Sequence, residues 1–200
     1  AYFFAPTVYL ALLGAVLFWV LAIEWPTVLG MRLVNPSFWM ISAAYPISSF
    51  LTLMYLTSRF AIEWPIIPLY PFIAASVVDM AGYFVGNLIG RHKCAPRISP
   101  NKTWEGLIGG VVALYATNFF LLWFHGRSLN VPLMWISTPI LAMSAIFGDL
   151  FISWLKRRQG IKDTGNVLPG HGGILDRLDS VLCIATVIGV YIVGRIALGY

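Results

Sequence analysis

Four aspartates are the residues of this chain most able to do chemistry. Asp79 and Asp149 stand inside apolar stretches, and Asp176 and Asp179 stand at the start of another. If such apolar stretches cross a membrane, a carboxylate within one costs about 2.5–3.5 kcal/mol on insertion scales. Each aspartate should then face other helices of the protein and have a cation partner. Converging carboxylates repel one another unless a cation neutralises them, and oxygen ligands suit Mg²⁺. We interpret the four aspartates as candidate ligands for Mg²⁺, and the presence of a second, monovalent or divalent, cation stays open.

A structural role for these aspartates stays open at this level. Asp79 and Asp149 could form ion pairs with Lys or Arg side chains of nearby loops. Asp176 and Asp179 have the spacing i, i+3 and share a helix face, where acids in a first turn are favourable with the helix dipole. Metal ligation is favoured because Asp149 ends the neighbouring apolar stretch on the same side, which brings three carboxylates together.

Basic, hydroxyl and glycine residues between and before these aspartates indicate phosphate binding. Backbone N–H groups of Ser, Thr and Gly segments can approach an anion closely, and the glycines flanking His171 favour such an approach. The candidates for substrate or phosphate contact are Ser99, Lys102, Thr103, Arg157, Lys162, Gly172, Gly173 and Arg177. The candidate catalytic residues are Asp149, Asp176, Asp179, Lys156 and His171. Some of these cations could equally be ordinary positive-inside residues of a membrane protein.

Composition places these residues in a membrane protein. The chain has 200 residues, of which 59% are hydrophobic and only 10% charged, whereas a soluble domain carries about a quarter charged residues. The net charge of +5 is concentrated in two loops, without the aromatic-basic stripe that indicates a nucleic-acid partner. The fold class predicted is therefore an all-α integral membrane protein, a polytopic bundle of about six transmembrane helices.

Six apolar stretches are long enough to cross a hydrocarbon core of about 30 Å as helices. They cover residues 7–23, 37–58, 65–89, 104–124, 131–155 and 178–198, with Glu24-Trp25-Pro26 ending the first and Pro46 kinking the second. The loops at 90–103 and 156–177 carry most of the Lys and Arg residues, so we expect both at the cytoplasmic face. The active site then lies at the cytoplasmic interface, and both ends of this chain face outward.

Several catalytic classes lack their signatures. The sequence contains no GxxxxGK[ST] P-loop, no HExxH zinc motif and no GxSxG nucleophile elbow. No Asp is followed by Gly, so the pattern of the CDP-alcohol phosphotransferases is missing as well.

Two segments together resemble the phosphatidate cytidylyltransferase (CDP-diacylglycerol synthase) family. The first is SWLKR, four residues, KDTG and then LPGHGGILDRLD, over residues 153–179. The second is DMAGYF over 79–84, followed by GRHK, AP and SPNKTWEG over 90–106. Met80 stands where the family usually has Ser or Thr, and Arg91 where Lys is common. The chain is also shorter than many members, which have extra N-terminal spans.

The resemblance implies an integral membrane enzyme that joins CTP to phosphatidic acid and releases pyrophosphate and CDP-diacylglycerol. It also implies Mg²⁺, a homodimer, and a multi-pass location in the cell membrane. We expect residues 1–64 to form N-terminal transmembrane helices and 65–200 to form the catalytic domain. Other CTP-using membrane lipid enzymes (a CDP-archaeol synthase or a polyprenol kinase) are the nearest alternatives. An ion transporter lined by Asp79 and Asp149 is a more distant one.

Overall fold

The computed structural model describes residues 6–125, 131–165, 167 and 172–199. Within them, six helices are long and apolar enough to cross a membrane, which confirms the predicted helical membrane bundle. These are α1 (Pro6–Leu29), α2 (Pro36–Phe60), α3 (Ile66–Ile89), α4 (Trp104–His125), α5 (Val131–Arg158) and α6 (Leu175–Ala197). The polar loop predicted between α3 and α4 contains an antiparallel hairpin of β1 (Lys93–Ala95) and β2 (Ser99–Thr103).

Helix α1 continues beyond the end that the sequence predicted for it. The α-helix Pro6–Trp19 passes into a π-helical turn, Val20–Glu24, and then into a further α-helical segment, Trp25–Leu29. The prediction that Glu24-Trp25-Pro26 ends the span was wrong, because Pro26 lies in the first turn of the new segment. A proline is tolerated in the first turn of a helical segment, because its fixed φ suits a helix.

The kink predicted at Pro46 in α2 is confirmed. A π-helical turn, Ala43–Ile47, interrupts this helix, and Tyr45 within it has extended backbone angles of φ −165° and ψ 124°. The kink turns the Tyr45 ring toward Trp25 of α1 and Phe151 of α5, with ring centroids 5.5 and 5.8 Å apart. The two N-terminal helices are therefore packed against the helix that carries Asp149.

Glycines set the close approach of α3 to α4, the most extensive helix contact of the described chain. A Cβ on Gly106 would lie 2.5 Å from the carbonyl oxygen of Gly82, and one on Gly110 would lie 3.0 Å from that of Val78. Small residues allow transmembrane helices to pack backbone against backbone. This contact holds β2, which precedes α4, against the end of α3.

A single glycine performs the same task between α5 and α6. A Cβ on Gly148 would lie 2.5 Å from the carbonyl oxygen of Asp179 and 2.7 Å from the Cβ of Cys183. Asp149 is the next residue of α5, so the close helix contact places it beside Asp179. Gly148 and Asp179 are both buried.

Candidate functional site

Two lysine–aspartate ion pairs define the candidate site. The first joins the Lys102 ammonium on β2 to a carboxylate oxygen of Asp149 on α5, at 2.5 Å. Its side chains are 19% and 30% exposed, so the pair is open on one side. The other Asp149 oxygen accepts a hydrogen bond of 3.2 Å from the Ser153 hydroxyl, one turn further along α5.

A cavity of about 190 Å³ adjoins this first pair. Asp79 is exposed in its wall, where it interacts electrostatically with Lys102 and Asp149. The lining residues are Val78, Asp79, Gly82, Tyr83, Asn101, Lys102, Thr103, Gly106, Leu107, Ile146 and Asp149. The cavity thus combines carboxylate, ammonium, amide and hydroxyl groups with an apolar wall at the junction of α3, α4 and α5.

Asp179 lies between this cavity and the second ion pair. Only 7% of the residue is exposed, and its carboxylate interacts electrostatically with Asp149, Asp79 and Lys156. One carboxylate oxygen accepts the backbone N–H of Ser180 at 2.6 Å. The buried Ser180 hydroxyl lies near Asp79 but has no partner within hydrogen-bond distance among the described residues.

The second ion pair is more enclosed than the first. The Lys156 ammonium at the end of α5 lies 2.8 Å from Asp176 Oδ1 at the start of α6, and the side chains are 13% and 9% exposed. Asp176 Oδ2 also accepts the backbone N–H groups of Thr164 and Gly173, at 2.8 and 3.1 Å. Asp176 therefore contacts both the earlier and the later described segment of the α5–α6 connection.

Glu24 is a site residue that the sequence reasoning missed. It is fully buried in the π-helical turn of α1, and its carboxylate reaches the connection between α5 and α6. The signal was present, because Glu24 is the only acidic residue before Glu63 and follows an apolar run. Because Glu24 precedes Trp25-Pro26, the sequence favoured the interpretation that the span ends there. An acidic residue at the end of a span is ordinary, so Glu24 was not singled out.

The remaining predicted residues occupy three kinds of position. Thr103 is buried, and its hydroxyl accepts the backbone N–H of Gly106 at 3.2 Å, as an N-cap of α4 does. Ser99 is half-buried on β2, whereas Arg157, Lys162 and Arg177 are exposed. His171 lies outside the described residues.

The two candidate glycines of the connection differ in what surrounds them. Gly172 has a left-handed φ of +80°, and an added Cβ would lie 2.9 Å from Asp176 Oδ2. Gly173 is buried, and its Cβ would lie 2.6 Å from Glu24 Oε2. Both therefore leave room for carboxylates of the protein itself, and their contact with substrate stays a prediction.

The predicted metal ligands fit a divalent cation by their chemistry. Asp79, Asp149 and Asp179 supply only oxygen ligands within electrostatic range of one another, and the Ser180 hydroxyl is a further oxygen beside them. Within the described residues, Asp176 has three of about four carboxylate lone-pair sites engaged, which leaves one for a cation. In the described chain, no three His, Cys, Asp or Glu side chains already form a metal-binding group.

Comparison with known proteins identifies the class to which this fold and site belong. The model of the cytidylyltransferase family matches residues 1–194, so the chain belongs to that family. Among similar proteins, the phosphatidate cytidylyltransferase of Staphylococcus haemolyticus (strain JCSC1435) is 42% identical over 125 residues, which are 62% of this chain and 48% of that protein. Those of Staphylococcus aureus (strain COL) and Staphylococcus saprophyticus are 40% and 39% identical with the same coverage. The chain thus spans about half the length of the curated relatives it matches.

Proposed function

We propose that this protein is a CTP:phosphatidate cytidylyltransferase, which makes CDP-diacylglycerol and pyrophosphate. The observation that carries the proposal is the convergence of Asp149, Asp179, Lys102 and Lys156 where α5, α6 and β2 meet. Nucleotidyl transfer between two phosphorylated substrates needs carboxylates that bind a metal and cations that bind phosphates. The names of the similar proteins support the same reaction.

The two ion pairs suggest where each substrate binds. The cavity beside Lys102 and Asp149 has an apolar wall that includes Tyr83, itself 67% exposed on the surface of α3. We assign the phosphate of phosphatidic acid to this cavity. Arg157 in the last turn of α5 and Lys162 in the α5–α6 connection are exposed cations, and we assign the triphosphate of CTP to this region.

In the reaction, a phosphate oxygen of phosphatidic acid attacks the α-phosphorus of CTP. A new P–O bond forms there while the bond to the β-phosphate breaks, and pyrophosphate leaves with its electron pair. The attacking phosphate is already ionised at pH 7, so no strong general base is required. Lys102 orients the attacking phosphate, and Lys156, together with Arg157 and Lys162, stabilises the leaving pyrophosphate.

The aspartates hold the cation that this chemistry uses. Asp149 and Asp179 are the principal metal ligands in the proposal. Asp176, through its remaining lone pair, and Asp79, in the cavity wall, are the additional ligands. Bound Mg²⁺ neutralises phosphate charge and favours in-line displacement. Whether a second cation shares the site stays part of the prediction.

The proposed setting is the cytoplasmic face of a bacterial plasma membrane. The β1–β2 hairpin and the α5–α6 connection are joined through Lys102, Asp149 and Asp179, so the two basic loops lie at one end of the bundle. Lys and Arg accumulate on the cytoplasmic side of membrane proteins. The homodimer implied by the family resemblance stays a prediction.

The test is turnover of CTP and phosphatidic acid by the purified protein in detergent micelles. CDP-lipid and pyrophosphate are expected with Mg²⁺ and lost with a chelator, whereas a kinase would give a phosphorylated lipid and CDP. Asp179→Asn and Asp149→Asn should each lower kcat at least 100-fold, because an amide ligates Mg²⁺ far more weakly than a carboxylate. Near wild-type rates in either variant at saturating Mg²⁺ would refute the metal assignment.

A further inference from the structure

The carboxylate of Glu24 is fully engaged by donors from the α5–α6 connection and from its own helix. Its Oε1 accepts the Trp19 indole N–H at 3.1 Å and the backbone N–H of Ile174 at 2.9 Å. Its Oε2 accepts the Thr164 hydroxyl at 2.9 Å and the backbone N–H of Leu175 at 2.7 Å. A carboxylate has about four lone-pair sites, and here each oxygen uses two.

Four donors directed at the two oxygens require a side chain of this length that only accepts hydrogen bonds. A glutamine would direct an N–H₂ group at two donors on one side of the site, so those donors would lose their acceptor. An aspartate is one methylene shorter and would retract from the connection. The two backbone N–H groups are those of Ile174, the N-cap residue of α6, and Leu175, its first residue, where a negative charge is favourable with the helix dipole.

Thr164 links Glu24 to the second ion pair. Its hydroxyl donates to Glu24, while its backbone N–H donates to Asp176, which in turn contacts Lys156. The two carboxylates therefore hold one residue from opposite sides. The amide of Gln159 adds a contact between α1 and the same connection, donating to the Leu29 carbonyl oxygen at 3.3 Å.

We propose that Glu24 is a positioning residue for CTP binding, which fixes the α5–α6 connection and the start of α6 so that Lys156, held by Asp176, and Lys162 face the triphosphate. The inference rests on the proposed function. The inference gives the N-terminal helices a part in the site. A carboxylate of α1 sets the shape of the α5–α6 connection, in which Thr164 lies 140 residues after Glu24 in the chain. Glu24 touches no substrate and acts through Thr164 and the first turn of α6.

The decisive variant is Glu24→Gln, assayed for CDP-lipid formation with CTP and phosphatidic acid varied separately. The KM for CTP should rise at least tenfold, while the KM for phosphatidic acid stays within about twofold. Glu63→Gln is the matched control, because Glu63 is exposed and follows the C-terminal end of α2. It should leave both constants unchanged.

A second variant and a second measurement separate positioning from simple stability. Thr164→Val removes one of the four donors to Glu24 and should raise the KM for CTP about threefold. This variant tests the positioning role if Glu24→Gln does not fold. Trypsin cleavage after the exposed Lys162 should be faster in Glu24→Gln, and CTP should protect the wild type more than the variant. Thr164→Ser keeps the hydroxyl and should restore the wild-type KM.

Three results would overturn the inference. One is a KM for CTP within twofold of wild type in a folded Glu24→Gln protein. Another is a loss of kcat with an unchanged KM and a lower unfolding temperature, which indicates a stabilising role alone. The third is unchanged cleavage after Lys162. If the wild type makes no CDP-lipid, the proposed function fails, whereas the cleavage experiment without substrate still tests whether Glu24 holds the connection.

Discussion

The two lysine–aspartate pairs of the site have similar chemistry and different surroundings. Lys102 and Asp149 meet beside a cavity, and their side chains are 19% and 30% exposed. Lys156 and Asp176 are 13% and 9% exposed, and Asp176 accepts two further backbone hydrogen bonds. The first pair is open for exchange with a ligand, whereas the second is part of the framework that shapes the α5–α6 connection.

This difference predicts how much each ion pair contributes to the stability of the fold and to the activity. An enclosed charge that loses its partner is costly, because no water replaces the lost interaction. A pair next to an open cavity gains little net free energy, since solvent screens both charges. Loss of the second pair should therefore damage the fold and the reaction, and loss of the first should damage mainly the reaction.

Lys156→Met is expected to have the largest effect on stability. The variant leaves the Asp176 carboxylate enclosed without its cation, which costs about 3–5 kcal/mol for a buried pair. Thermal unfolding in detergent, followed by tryptophan fluorescence, should show a clear drop in midpoint, and CDP-lipid formation should disappear. Lys93→Met is the control, because Lys93 is exposed on β1. A midpoint equal to wild type would show that the second pair is not structural.

Gly148→Ala should have the next largest effect, because it pushes apart the two helices that carry Asp149 and Asp179. The added methyl would lie 2.5 Å from the Asp179 carbonyl oxygen, and overpacking of this kind costs about 1–3 kcal/mol. Activity should fall at least tenfold as the two carboxylates separate. In Gly194→Ala, on the same α6, the methyl meets nothing within 4 Å. That control should unfold at or above the wild-type temperature, and equal behaviour of the two variants would contradict the packing argument.

Lys102→Met should have the smallest effect on stability and still abolish most of the activity. The free energy of unfolding should change by less than about 1 kcal/mol, as for other pairs with access to solvent. The rate of CDP-lipid formation should fall at least tenfold, with a raised KM for phosphatidic acid. A large loss of stability with normal kinetics would assign this pair to the framework as well.

Much of the architecture follows from composition and spacing. Apolar stretches of sufficient length predict six spans, because a backbone in lipid must satisfy its hydrogen bonds within a helix. The helical bounds differ from the prediction mainly at α1, where the expected stop at Glu24 is a π-helical turn within a longer helix. That difference mattered for the site, since it concealed the buried carboxylate that reaches Thr164.

The pairing between the charged residues does not follow from the sequence. The sequence marks Asp79, Asp149, Asp176 and Asp179 as unusual, because an acid in an apolar stretch is costly and needs a reason. It does not say that Lys102 pairs with Asp149 and Lys156 with Asp176, since any of nine loop cations could serve. The pairing depends on how closely α3, α4, α5 and α6 approach, and the glycines at those contacts decide it.

By itself, the sequence determined the membrane class, the family resemblance and the carboxylates and cations that compose the site. Those properties are local, because they depend on residue types within one span or one loop. The tertiary structure alone decided that one pair is open and the other enclosed, and that Glu24 completes the α5–α6 connection. Burial and hydrogen-bond geometry are properties of packed helices, and residues 140 positions apart meet only after the bundle has formed.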